Sequence, residues 1–134
     1  MKNVLTPAIS TMLLVCSMPS AAASLLAVGG VYGGSSQVKA YCYVFNGSGT
    51  SITFGARRIL DQSGTDVTLP TQEGHCGHFN LPLGPNKTCL VSGDIGGGSV
   101  YACKIWINEA KALVRGNLDL RDSANKVLVS SPLR

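Results

Sequence analysis

The sequence predicts an all-β protein, a small antiparallel β-sandwich with two disulfides that follows a cleaved signal peptide. Short segments of alternating or β-branched character are separated by turn residues at the spacing of a sandwich. Four cysteines remain once the leader is removed. No segment shows a sustained helical period. We therefore expect about seven or eight strands in one domain.

The first 23 residues have the organisation of a secretory signal peptide. Lys2 is their only charge, and an apolar stretch over residues 9–15 leads to small residues that end at Ala23, near which we predict cleavage. The apolar stretch is shorter than the roughly 20 residues that a membrane span needs. Cys16 follows Val15 rather than a small residue, so lipid attachment is not expected. These features predict a secreted or periplasmic protein with no membrane anchor.

The chain after the leader is long enough for one domain with its own core. It has ten basic and seven acidic residues and no run of three like charges, so its charge indicates neither nucleic acid nor an acidic membrane surface as partner. We predict a flexible Gly/Ser-rich arm over residues 24–36, followed by the β-sandwich domain over residues 37–134.

Eight segments of the chain have strand character. They are residues 37–45, 51–60, 66–69, 77–81, 88–92, 100–107, 112–119 and 126–129. Turn residues separate them, for example Asn46-Gly47-Ser48-Gly49 after the first. The seventh alternates apolar and polar residues, as expected of an antiparallel strand with one solvated face.

Cys42, Cys76, Cys89 and Cys103 form the expected covalent framework. An even number of cysteines in an oxidising compartment predicts two disulfides, and four cysteines allow three pairings. Strand context favours Cys42 with Cys103, because each shares a face with apolar residues of an alternating segment and should point into the core. Cys76 with Cys89 would then close the loop between them.

The spacing of Cys42 and Cys103, with Tyr101 two residues before the second cysteine, resembles the immunoglobulin-type pattern. The resemblance implies an immunoglobulin-like topology for the sandwich. The chain departs from that pattern at Trp106, which follows the second cysteine instead of lying between the two.

Several segments carry a second resemblance. They are residues 42–46 (Cys-Tyr-Val-Phe-Asn), 83–85 (Leu-Gly-Pro), 101–103 (Tyr-Ala-Cys) and 112–118 (Ala-Leu-Val-Arg-Gly-Asn-Leu). Through them, the chain from Tyr41 to Arg134 resembles a group of short secreted bacterial proteins of uncharacterised function. The resemblance implies export and a β-rich fold, and it brings no activity or site.

His75-Cys76-Gly77-His78 is the cluster with potential chemistry, since two imidazoles beside a cysteine could bind Zn²⁺ or copper. A disulfide at Cys76 would leave two histidines where a closed site needs about four ligands, and it would remove the thiolate that a Cys–His nucleophile requires. We therefore predict no metal, no cofactor and no catalytic residue. Metal binding or hydrolysis at His75 and His78 is the alternative.

Other polar residues have ordinary structural explanations. No serine lies in a Gly-x-Ser-x-Gly motif. Asp119 and Asp122 are the carboxylate pair to examine for glycosidase chemistry. Arg57 and Arg58 are neighbours in a predicted strand and should point to opposite faces.

The sequence thus favours a non-enzymatic binding or structural module. Its partner would be a protein or a glycan outside the cytoplasm. Tyr32, Tyr43 and Trp106 could serve as anchors for that partner if their rings are exposed.

Overall fold

The computed structural model describes residues 23–134, so the predicted signal peptide lies outside the described residues except for Ala23. Seven strands and one short 3-10 turn make up this part of the chain. They are β1 (Ser24–Val31), β2 (Lys39–Asn46), β3 (Phe54–Asp61), the turn His78–Asn80, β4 (Lys87–Asp94), β5 (Tyr101–Ile107), β6 (Val114–Arg121) and β7 (Val127–Leu133). Within these residues no helix has the length and apolar character that crossing a bilayer requires.

The strands form two antiparallel sheets whose inner faces make one core. The three-stranded sheet has the order β1-β5-β3 and the four-stranded sheet the order β4-β2-β6-β7. Alternate side chains of the central strands are fully buried between them: Ala40, Cys42, Val44, Cys103, Ile105, Ile107, Leu118 and Leu120. Each buried Ile or Leu contributes about 1.5 to 3 kcal/mol. The predicted all-β sandwich is confirmed.

Two disulfides fasten this sandwich. Cys42 on β2 is bonded to Cys103 on β5, so the bond joins the two sheets through the core. Cys76 is bonded to Cys89 and closes the loop before β4. Both pairings are those that strand placement favours, and two disulfides are typical of proteins outside the cytoplasm.

The segment predicted as a flexible arm, residues 24–36, instead begins with β1. Leu26 is 2% exposed, and β1 pairs with β5 from Ser24 to Val31. The glycines of this segment suggested a flexible chain, but the apolar residues that precede them form a strand. Gly30 has a positive φ of 72° at the place where the register with β5 shifts. The arm prediction is therefore wrong for these residues.

Gln37 fixes the rest of the segment. Its side chain is fully buried, and its Oε1 accepts a hydrogen bond from the backbone N–H of Gly33 at 2.7 Å. Its Nε2 donates to the carbonyl oxygens of Gly96 and Ser99. The glutamine thus ties the chain before β2 to the loop between β4 and β5.

Two of the predicted strands are not strands. Residues 66–69 cross from one sheet to the other: Val67 N–H donates to the carbonyl of Ile59 on β3, and Leu69 N–H to that of Ser92 on β4. Residues 77–81 form tight turns, with Phe79 at a φ of 51°. Their composition is strand-like, but the chain has to bridge the sheets and turn back at these places.

Tyr101 shows a feature of the immunoglobulin-type pattern. Its hydroxyl accepts a hydrogen bond from the backbone N–H of Gly96 at 2.9 Å, five residues upstream. A tyrosine corner makes this kind of bond. Trp106, in contrast, is half-buried and alternates with the buried Ile105 and Ile107, so it faces away from the core. An immunoglobulin-like topology stays a prediction.

Candidate functional site

An aromatic row lies on the outer surface of the four-stranded sheet. Because Cys42 and Val44 of β2 point into the core, the intervening residues point outward, and these are Tyr41, Tyr43 and Phe45. The rings of Tyr41 and Tyr43 are 6.2 Å apart, and Phe45 is 41% exposed. We call this surface, together with the outward side chains of β6, the aromatic face.

Arg121 on β6 organises the centre of the aromatic face. Its guanidinium carbon lies 5.3 Å from the ring centre of Tyr41 and 5.9 Å from that of Tyr43, which is cation–π distance. Its Nη2 donates to Asp119 at 3.0 Å and to the Tyr43 hydroxyl at 3.3 Å. Asn117 donates to the other carboxylate oxygen of Asp119 at 2.5 Å. Each of these side chains thereby restricts the orientation of its neighbours.

The burial of Tyr43 raises the pKa of its phenol, while the positive charge of Arg121 opposes that rise to a smaller extent. The hydroxyl therefore stays protonated and can donate as well as accept a hydrogen bond at neutral pH.

A groove of about 400 Å³ lies beside this network. Its lining residues are Tyr43, Phe45, Thr88, Arg115, Gly116 and Asn117. The guanidinium of Arg115 bends back to the carbonyl oxygens of Val114 and of Ala112, which precedes β6. The groove thus offers the rings of Tyr43 and Phe45, the hydroxyl of Thr88 and the amide of Asn117. The cation in its lining, Arg115, is hydrogen-bonded to backbone carbonyls.

The predicted cluster at His75 and His78 lies elsewhere, in the loop that the Cys76–Cys89 disulfide closes. His75 is 8% exposed, and its Nδ1 is buried without a hydrogen-bond partner in the described part of the chain. Burial, and to a smaller extent His78, lowers the pKa of His75 below its ordinary value of 6.5. The imidazole of His75 is therefore neutral at neutral pH.

The described part of the chain brings no third metal ligand to these histidines. No group of three or more His, Cys, Asp or Glu side chains within residues 23–134 has an arrangement that could hold a metal ion. Cys76 is bonded to Cys89, so it offers no thiolate to a Cys–His pair.

Asp119 and Asp122 are engaged in separate structures. Asp119 is bonded to Arg121 and Asn117, as described above. Asp122 accepts hydrogen bonds from the backbone N–H groups of Ala124 and Lys126, which is the turn chemistry common for aspartate.

Arg57 and Arg58 have different surroundings, as their adjacent strand positions predict. Arg57 Nη1 donates to the carbonyl of Cys76 at 2.8 Å, whereas Arg58 lies 3.8 Å from Asp66 at the surface. Of the predicted aromatic anchors, Tyr32 is 52% exposed and Tyr43 belongs to the aromatic face.

Sequence reasoning placed Tyr43 among the anchors but did not identify the row to which it belongs. The signal was available, because assigning Cys42 and Val44 to the core assigns Tyr41, Tyr43 and Phe45 to the opposite side. The role of Arg121 could not be found in this way, since it depends on which strand pairs with β2.

Comparisons with known proteins do not assign this chain to a family: no family model matches it, and neither do curated proteins or solved structures.

Proposed function

We propose that this protein is a non-enzymatic binding module that takes a neutral saccharide on its aromatic face. The groove between Tyr43, Phe45, Thr88 and Asn117 is the observation that carries the proposal. A sugar ring presents an apolar C–H face together with hydroxyls that both donate and accept. Aromatic rings complement the C–H face, and the amide and hydroxyl groups of the groove complement the hydroxyls.

The charges of the aromatic face favour a neutral ligand over a charged one. Lys39 is paired with Asp94 and Arg121 with Asp119, so each of these charges already has a partner within the sheet. Arg115 is bonded to backbone carbonyls. A charged partner of Lys39 or Arg121 would have to compete with the carboxylates already paired there.

The contacts of Arg121 also support binding, because they reduce the ordering that a ligand would have to impose. Its guanidinium holds the rings of Tyr41 and Tyr43 from one side, and Asp119 holds the guanidinium. Preorganised rings lose little side-chain freedom when a ligand stacks on them.

Export and bacterial origin belong to the same proposal. The Cys42–Cys103 and Cys76–Cys89 disulfides support an oxidising compartment. Strand β1 starts at Ser24, so cleavage near Ala23 would leave all the described strands whole. Intact mass of the exported protein tests this: loss of about 23 residues and of four hydrogens is expected, and a retained leader would contradict it.

Affinity electrophoresis tests the binding proposal. The purified protein is run through native gels that contain hydroxyethyl cellulose, mannan or soluble starch, with alginate as the anionic comparison. We expect retardation by at least one neutral polysaccharide. Tyr43→Ala and Phe45→Ala should weaken the interaction about fivefold or more, the loss typical of a central aromatic contact.

Tyr32→Ala is the matched control, since it removes an exposed tyrosine ring outside the groove. It should bind as the wild type does. The absence of retardation in all the neutral gels, or equal retardation of the wild type and Tyr43→Ala, would contradict the proposal.

A further inference from the structure

A second cavity, of about 200 Å³, lies in the loop that the Cys76–Cys89 disulfide closes. Its volume corresponds to about six or seven water molecules at roughly 30 Å³ each. Its apolar walls include Phe54, Leu81 and Leu83, and its polar ones include His75 and Glu73. Mostly apolar walls with a few polar groups are typical of a small-molecule site.

His75 supplies the observation that indicates a ligand. The residue is more than nine-tenths buried, lines the cavity, and has an Nδ1 without a hydrogen-bond partner among residues 23–134. A buried polar atom left unbonded is costly, and native structures rarely keep one without a reason. Because Nδ1 is itself inaccessible, a hydroxyl in the cavity could bond to the imidazole only through Nε2, the other ring nitrogen.

The wall that carries His75 is rigidly held. The backbone N–H of Cys76 donates to the carbonyl of Leu90 on β4 at 2.9 Å. The carbonyl of Cys76 accepts a hydrogen bond from Arg57 at 2.8 Å, and its sulfur is bonded to Cys89. The backbone next to His75 is therefore held in place before any ligand arrives.

The loop beside the cavity also carries backbone strain. Phe79 and Asn80 have positive φ values of 51° and 58°, and Phe79 is 82% exposed. A bulky residue in this conformation is unusual, and such strain is concentrated at binding and active sites. The ring of Phe79 lies 4.0 Å from that of His78, a residue of the cavity lining.

We propose that this cavity binds a small uncharged molecule with an apolar body and one hydroxyl, which hydrogen-bonds to the His75 imidazole. The apolar body would pack on Phe54, Leu81 and Leu83. An anion such as a carboxylate would lose hydration among these apolar walls, and the opposite charges of Glu73 in the lining and Arg57 beside Gly77 give it no net attraction. This site shares Thr88 with the groove of the aromatic face but contains none of its aromatic residues, and it does not depend on the saccharide proposal.

Titration of the wild-type protein with p-cresol, toluene and benzoate at pH 7.5, followed by NMR of the backbone amides and the histidine side chains, tests this inference. All three probes have one aromatic ring, so they differ chiefly in the polar group. We expect p-cresol to shift signals from residues 73–89 and from the His75 imidazole. Toluene should bind about tenfold more weakly, the effect of one hydrogen bond at a neutral group, and benzoate more weakly still.

His75→Phe keeps a ring of similar size but removes both nitrogens, so it should bind p-cresol and toluene equally. Tyr43→Ala is the control and should bind p-cresol as the wild type does. Equal affinity of the wild type for p-cresol and toluene, or no shift at any probe concentration, would overturn the inference. Both results come from the wild type, so they do not require the His75→Phe variant to fold.

A hydroxylated ring could come from a free molecule or from a tyrosine of a partner protein. Titration with an uncharged tyrosine peptide, acetylated at its N-terminus and amidated at its C-terminus, separates the two sources. Binding of the peptide at least as tightly as p-cresol supports a tyrosine of a partner, and binding of p-cresol alone supports a free molecule.

Discussion

Asn46, the last residue of β2, donates its side-chain N–H to the carbonyl oxygen of Leu83 at 3.0 Å, across 37 positions of sequence. The asparagine is fully buried, and its Nδ2 also approaches the carbonyls of Thr50 and Gly84. Its Oδ1 accepts a hydrogen bond from the backbone N–H of Ser48. One side chain thus fastens the turn after β2 to the loop that borders the His75 cavity.

Replacing Asn46 with alanine should lower the free energy of unfolding by about 2 to 3 kcal/mol, because buried carbonyls lose their donor. Urea unfolding followed by circular dichroism measures the loss. Asn108→Ala is the control, since its exposed side chain makes one hydrogen bond, to Thr53. It should change stability by less than about 0.5 kcal/mol. Equal effects of the two variants would contradict this role of Asn46.

The sequence predicted a turn at Asn46-Gly47-Ser48-Gly49, and Ser48 does bond to Asn46 there. Turn composition could not show that the asparagine is buried, because its partners at Leu83 and Gly84 come from a distant part of the chain. Alternation in β2, β5 and β6 predicted the core correctly, since a period of two depends on neighbouring residues alone.

The missed elements depend on contacts that local sequence does not record. The apolar start of β1 is short, and the glycines after it obscured the strand that pairs with β5. For the sites, the sequence identified His75 and His78 but not the cavity, whose lining joins Phe54 to the loop before β4.

Acidification should destabilise the protein through His75. Burial lowers its pKa in the folded chain, so the unfolded chain takes up the proton at a higher pH. The free energy of unfolding should therefore be insensitive to this group above about pH 7, fall as the pH drops through 6.5, and stop falling below the folded-state pKa. Urea unfolding at a series of pH values measures this dependence.

His75→Phe should remove this component of the acid sensitivity. His78→Gln is the control and should keep most of it, because burial of His75 is the larger cause of its lowered pKa. A pH dependence that is the same in the wild type and His75→Phe would show that other groups cause it.

Arg57 should matter for stability far more than its neighbour Arg58. The Arg57 guanidinium is bonded to the carbonyl of Cys76, whereas the Arg58–Asp66 pair is exposed and 3.8 Å long. Arg57→Met should cost about 1 to 3 kcal/mol, and Arg58→Met less than about 1 kcal/mol. Chemical denaturation gives both values.

Hydrogen exchange adds a local test of the same contact. In Arg57→Met, the amide of Cys76 should exchange faster, because the carbonyl of Cys76 has lost its hydrogen bond from the guanidinium. In Arg58→Met its exchange should be unchanged. Equal costs of the two variants, with no local change at Cys76, would rule out the anchoring role of Arg57.

The two disulfides should contribute differently to stability. Cys42 and Cys103 are 61 positions apart, and Cys76 and Cys89 are 13 apart. The chain-entropy model gives about 4 kcal/mol for the first bond and about 3 kcal/mol for the second. The first pair is also buried at the centre of the core, so its removal leaves a cavity there.

The Cys42→Ala/Cys103→Ala variant should therefore lose more stability in urea than Cys76→Ala/Cys89→Ala. The second variant should keep the strands and lose hydrogen-exchange protection around residues 74–83, because that bond holds the loop against β4. Its affinity for p-cresol should fall while its retardation by polysaccharide stays the same, since the aromatic face lies on strands that it leaves intact. If this variant lost both p-cresol binding and retardation by polysaccharide, the His75 loop and the aromatic face would be one cooperative unit rather than two sites that act independently.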